Sequence, residues 1–236
     1  MFDLFSDPVK VVQQLEIITS EFGFATWETL YSLVLEVIFA YVIGLPLGVI
    51  LVTGEKDGIR PLNPVFMRGL NMVINLLRSI PFLILMIIAL PLSKIIVGTK
   101  VGTPATIPPM VVCAFPLVAR MVESSLRELN HGVIEAAQSM GASTWQLITK
   151  VMLPESLPSL ISGGTITVGT ILGYGAMAGI IGGGGLGQMA ITYGYYTYRT
   201  IIRWVSVIVL VILVLLFQSA GSKLAQRCDK RLRNRS

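Results

Sequence analysis

Ile201-Ile-Arg-Trp-Val-Ser-Val-Ile-Val-Leu-Val-Ile-Leu-Val-Leu-Leu-Phe217 carries one charge, Arg203, close to its start, and is otherwise almost wholly apolar. A helix that crosses the hydrocarbon core of a bilayer needs about 20 mostly apolar residues, and this run with its flanks supplies them. The rest of the chain has the same character. Of 236 residues, 53% are apolar and only 13% charged, where a soluble domain carries about 25%. The mean hydropathy is +0.76. A soluble fold of this size would leave large apolar patches in water, so the composition excludes a soluble enzyme and a disordered chain. It points to an all-α integral membrane protein.

Five spans are expected, at about 30–52, 70–92, 106–122, 160–181 and 201–217. The first contains Glu36 and a Gly44-Leu-Pro46-Leu-Gly48 stretch that reads as a kink. The second includes Arg78 and Pro81, and the third is interrupted by Pro108, Pro109 and Pro116. Proline is tolerated in a span when neighbours satisfy the freed carbonyls. Residues 1–28 are expected to form an extracytoplasmic N-terminal segment, in which Met1 to Ser20 contains acids and amides and lacks the continuous apolar core of a signal peptide. Val11, Leu15, Ile18 and Phe22 recur at helical spacing there and suggest a short, separate helix on the outer membrane surface. The transmembrane domain then covers 29–222, followed by a basic tail, 223–236.

The distribution of lysine and arginine sets the expected orientation. With the N-terminus outside, eleven basic residues fall on the inside and four on the outside. Six of the eleven are in the tail: Lys223, Arg227, Lys230, Arg231, Arg233 and Arg235. The tail and the net charge of +5 therefore fit a cytoplasmic C-terminus facing anionic lipids, not a nucleic acid. Cys113 and Cys228 are too far apart in character to suggest a disulfide framework, and the single His131 reads as a solvated loop residue. No catalytic or metal-binding residues are expected. Gly182-x-Gly184-x-x-Gly187 matches a dinucleotide fingerprint formally but follows a span, not a strand, and reads instead as a flexible outer turn. GxxxxGK[ST], HExxH and GxSxG are absent.

The connection 123–158 carries the most information. It reads Glu135-Ala136-Ala137-Gln-Ser-Met-Gly141-Ala142-Ser143, then Val151-Met-Leu153-Pro154. Two short helices are expected with a break at Gly141. Ser143-Thr-Trp-Gln146 fits a capping box at the start of the second. Small residues at Ala136, Ala137, Gly141 and Ala142 would let another protein approach the backbone. Pro154 and Pro158 are expected to stop the helix and turn the chain back into the membrane.

This pattern of Glu-Ala-Ala, three residues, Gly, nine residues, an aliphatic, one residue, Leu-Pro resembles the EAA signature of importer-type ABC permeases. Arg78-Ser-Ile-Pro81-Phe82 resembles an element of amino-acid importer permeases, and the glycine-rich run Gly173–Gly187 is similar to the methionine-uptake branch. The resemblance to the permease subunit of bacterial methionine ABC importers extends nearly end to end. It implies a homodimer in the bacterial inner membrane, working with two cytosolic ATPase subunits and an extracytoplasmic methionine-binding lipoprotein. ATP and Mg would be held by the ATPase, leaving no cofactor in this chain. Glu135, Ala136, Ala137, Gly141, Ala142, Leu153 and Pro154 would form the ATPase-coupling surface and its return to the membrane. The same machine with another substrate, and an ATP-independent channel or carrier, are the alternatives.

Two polar stripes are candidates for a translocation path: Asn71, Asn75 and Ser79 in the second span, and Thr165, Thr170, Tyr174 and Met177 in the fourth. Helix packing would produce the same stripes. Charged residues within spans are costly and therefore suspect. Glu36 is expected to pair with a basic residue of a neighbouring helix, or else to line the path. Arg78 is either a pathway group or a snorkelling structural one. Gly164, Gly169, Gly173 and Gly179 suggest close helix packing.

Overall fold

A computed structural model describes residues 8–228, and every regular element among them is helical. The tail residues Lys230, Arg231, Arg233 and Arg235 lie outside the described residues, as does the start of the N-terminal segment. Four helices are long and apolar enough to cross a membrane, with a fifth span if one bent pair counts as one crossing.

The first helix differs from expectation. Helix α1 runs without a break from Pro8 to Thr53, 46 residues, so no separate surface helix precedes the first span. The helical spacing near its start has another cause: Ile18 and Phe22 pack on a core of Ala25, Leu186, Met189 and Ile202. Gln14 accepts a hydrogen bond from the Ile201 amide at 3.1 Å. Pro46 sits inside the continuous helix, and its flanking glycines serve contact with α4 (Thr103–Arg127). A methyl group on Gly44 would lie 2.6 Å from Val118 Cβ, and one on Gly48 2.6 Å from Val122 Cβ.

The second expected span is broken. Helix α2 covers Pro64–Ser79 and α3 Phe82–Ile96, with an angle of 112° between them. The physical reason is Pro81. It lacks an N–H, and its ring pushes Ile80 into extended backbone (φ −76°, ψ 130°), which ends a helix. The prolines of the third span have no such effect, and α4 contains Pro108, Pro109 and Pro116.

After α4 come α5 (His131–Ser139), α6 (Thr144–Gln146), a π-helical stretch Leu147–Met152 and α7 (Leu153–Glu155). Helix α8 (Leu157–Ala178) continues as a 3-10 turn Gly179–Ile181, as the fourth span predicts. Short α9 (Gly185–Gln188) and a π-helical stretch Met189–Tyr196 lead to α10 (Thr200–Cys228), which extends the fifth span well past Phe217 and takes in Lys223 and Arg227.

The chain forms two compact units. One contains the residues up to Ile38 with Pro81–Val112 and Val168–Leu216. Here the glycine run is a pinned turn and not a flexible one. Gly182 and Gly185 have φ of 87° and 78°, Gly182 O accepts from Gly102 N, and Gly185 N donates to the Glu28 carboxylate at 3.0 Å. Leu186 N donates to Thr29 Oγ1 at 2.9 Å. The other unit contains Phe39–Ile80, Cys113–Thr167 and the residues from Phe217 on. Leu51, Ile74 and Ala119 form its buried centre.

Glycine spacing in α8 is only partly about packing. Gly164 lies against the Tyr41 hydroxyl and Gly179 against the backbone of Gln188, but nothing lies within 4 Å of where a Gly173 side chain would start.

Candidate coupling loop and intramembrane polar cluster

The loop between α4 and α8 belongs to the second unit. Its geometry follows from its caps. Asn130 accepts from Gly132 N through its side chain and starts α5. At the other end Gly141 adopts φ +80°, Gly141 N donates to Gln138 O and Ala142 N to Ala137 O. This pair of bonds is the Schellman arrangement, in which a left-handed glycine closes a helix. Ser143 then starts the next helix. Its hydroxyl accepts from Gln146 N, and its own N–H donates to Gln146 Oε1, which is the predicted capping box.

Glu135, Ala136, Gly141 and Pro154 are exposed, Ala142 and Leu153 half-buried, and Ala137 buried. Two large apolar side chains flank the glycine in the open: Met140, 81% exposed, and Trp145, 73% exposed. Sequence reasoning looked for small residues and overlooked both. The loop's turns are thus closed by backbone and side-chain hydrogen bonds, and an acidic group and apolar side chains are exposed on it. Such a surface suits contact with another protein.

The prolines do not stop the helix. Pro154 lies at the beginning of α7, directly after the π-helical stretch, and Pro158 near the start of α8. Proline has no N–H for the carbonyl one turn earlier and its ring crowds that carbonyl, so a helix continues through it only where the local turn adjusts. The π-helical stretch ends with Leu153 N donating to Ile148 O, a widened turn at which the helix makes room for Pro154. Ser159 ties the return to the end of α4 through Glu128 Oε2 at 2.9 Å.

Arg120 organises the interior of the same unit. Its guanidinium donates to Glu123 Oε2 at 2.5 Å and to the side-chain oxygens of Asn71 and Asn75. Arg120 and Glu123 are 18% and 11% exposed, so their charges are largely out of solvent. Glu123 also accepts from Arg127, which grips Glu55 with two nitrogens at 2.5 and 3.1 Å. A polar chain therefore runs from the end of α1 through α4 to α2. Asn71 and Asn75 belong to it, which gives them a structural job. Ser79 Oγ donates back to Asn75 O in its own helix.

The other candidate stripe divides between the units. Thr165 donates to Ile161 O and lies against Gly221. In the first unit, Tyr174 stacks on Phe82, with ring centroids 4.1 Å apart and planes 9° from parallel. Met177 is exposed. Arg78 is exposed in the last turn of α2, where a cation complements the helix dipole.

Apolar helices long enough to cross a membrane, with a capped, outward-facing EAA-type loop between them, define a transport permease. Residues 44–234 match the family described as binding-protein-dependent transport system inner membrane component, and the chain belongs to that family. It is a multi-pass inner-membrane protein. The chain is 48% identical over 210 residues to a probable D-methionine transport system permease protein of Vibrio cholerae, covering 88% of this chain and 92% of that one. It is 46% identical over 159 residues to a methionine import system permease protein of Bacillus subtilis, covering 67% and 72%. Among solved structures, the inward-facing MetNI methionine ABC transporter superposes with a TM-score of 0.88 at 40% identity, covering 91% of this chain and 99% of that one. An amino acid ABC transporter at 18% identity, covering 90% and 96% of the two chains, shares the fold, with a TM-score of 0.73.

Proposed function

We propose that the chain is the permease subunit of an ABC importer that carries methionine, both the L- and the D-isomer, across the inner membrane by alternating access. Two copies form the path, two cytosolic ATPase subunits hold and hydrolyse ATP with Mg, and an extracytoplasmic methionine-binding lipoprotein delivers the substrate. The observation that carries this reading is the exposed EAA-type loop on a chain nearly half identical to a D-methionine permease over most of both lengths. Glu135, Ala136, Gly141 and Ala142, together with Met140 and Trp145, form the surface that the ATPase grips. Leu153 and Pro154 direct the chain from there towards α8. The N-terminus lies outside and the loop and C-terminus in the cytoplasm. ATP-driven closure then biases the two conformations differently, which alternating access requires.

The test is uptake of radiolabelled methionine into proteoliposomes. Uptake should require the ATPase partner and ATP. Uptake driven by a proton gradient without nucleotide would overturn the reading, and ATP-dependent uptake of another amino acid in place of methionine would overturn the substrate.

A further inference from the structure

Glu36 is 2% exposed, within a helix long and apolar enough to span the membrane, and among the described residues it makes neither an ion pair nor a hydrogen bond. The expected basic partner is missing. The carboxyl instead lines a small cavity of the first unit with Thr29 and Ser32 of α1, Thr103 and Thr106 of α4, and Gly184 of the pinned turn. The space is on the scale of one water-sized occupant.

The direction of the hydroxyl protons defines the chemistry. Thr29 donates to Ala25 O at 2.9 Å, Ser32 to Thr29 O at 3.3 Å and Thr106 to Thr103 O at 2.8 Å. Thr103 donates to Glu28 Oε1 at 2.7 Å. Each lining hydroxyl gives its one proton to another acceptor, so none donates to Glu36; Thr29 Oγ1 also accepts from Leu186 N, and the others keep acceptor capacity. The charged or titratable neighbours are Glu28 and the Tyr31 phenol, itself engaged with Thr103; no lysine, arginine or histidine lines the space. An ionised carboxylate surrounded only by acceptors is costly, and either a proton on it or a small cation beside it removes that cost.

We propose that Glu36 and the hydroxyl oxygens of Thr29, Ser32, Thr103 and Thr106 form a binding site for one small monovalent cation, of the size of Na⁺ or K⁺. A divalent ion is disfavoured because no group of three or more His, Cys, Asp or Glu side chains able to hold a metal ion occurs among the described residues. The cavity is too small for an amino acid. An ion there would join α1 and α4.

The experiment is thermal unfolding of the purified transporter in NaCl, KCl or N-methyl-D-glucamine chloride at equal ionic strength. The wild type should gain several degrees, saturably, in Na⁺ or K⁺ over N-methyl-D-glucamine, and Glu36→Gln should lose that gain. Thr106→Val keeps the carboxyl but removes one ligand oxygen, and should weaken the apparent cation affinity several-fold. A wild-type midpoint that is the same in all three salts overturns the proposal, as does an unchanged cation response in either variant. A midpoint that follows pH alone places a proton on Glu36 and overturns it equally.

Discussion

Arg120 bridges two helices by donating from one guanidinium nitrogen to the side-chain oxygens of both Asn71 and Asn75, at 2.9 and 2.8 Å. Arg120→Met would leave the largely buried Glu123 carboxylate without this cation and the two amides without their donor. Arg127 still pairs with Glu123, so the loss should fall short of the about 3–5 kcal/mol that a wholly uncompensated buried charge costs. The thermal midpoint of the purified transporter should fall by several degrees, and Arg120→Met with Glu123→Gln should recover part of the loss. Equal midpoints for wild type and Arg120→Met would remove the cluster from the account of stability.

Glu55 provides the contrast. Its pair with Arg127 is close to half exposed on both sides, 43% and 46%. Exposed pairs are worth about 0–1 kcal/mol, so Glu55→Gln should shift the midpoint little, and less still in high salt. A loss as large as that of Arg120→Met would contradict this ranking.

Gly141 holds a left-handed conformation in open space, with nothing within 4 Å of a side chain's first atom. Backbone strain, about 1–2 kcal/mol for most L-residues, is therefore the whole penalty of substitution. Gly141→Asn should retain most methionine uptake because asparagine visits this region, whereas Gly141→Val should lose most of it while inserting normally. Similar uptake in the two variants would separate the loop's conformation from coupling.

Gly48 is the opposite case, an ordinary conformation with no space. A methyl group there meets Ala119 O and Val122 Cβ, each at 2.6 Å. Overpacking costs about 1–3 kcal/mol, so Gly48→Ala should lower the thermal midpoint, while Gly23→Ala, in the same helix with no neighbour within 4 Å, should not.

Glu28 accepts from the Thr103 hydroxyl and from Gly185 N. Glu28→Leu would leave two donors unpaired, about 1–3 kcal/mol each where buried, and Glu28→Gln keeps one acceptor oxygen. Hydrogen exchange at Gly185 and Leu186 should accelerate strongly in the leucine variant and weakly in the glutamine one.

Much of this was legible in the residues, and the exceptions have physical causes. The capping box and the Gly141 break were readable because both are local: a serine and a glutamine three apart, and one glycine. The apolar runs located the spans, but apolar content cannot distinguish a span from its break. At Ile80 the deciding fact was what proline does to the residue before it. The N-terminal stripe of Val11, Leu15, Ile18 and Phe22 was real, yet periodicity does not say whether a helix faces lipid headgroups or Leu186 and Met189. Arg120 went unrecognised as the partner of Asn71 and Asn75 because the three are 45 to 49 positions apart in sequence. The stripe Glu28, Ser32, Glu36, at intervals of four on α1, was the available signal for the polar pocket.

The hydrogen bond from Gly185 to Glu28 joins residues 157 positions apart. A ribosome adding about 5–20 residues per second needs roughly 8–30 s to make the intervening chain. Throughout that interval Glu28 is already synthesised while its backbone donor does not yet exist. The glycine turn is therefore a late closure in biogenesis, completed only when the final quarter of the protein emerges.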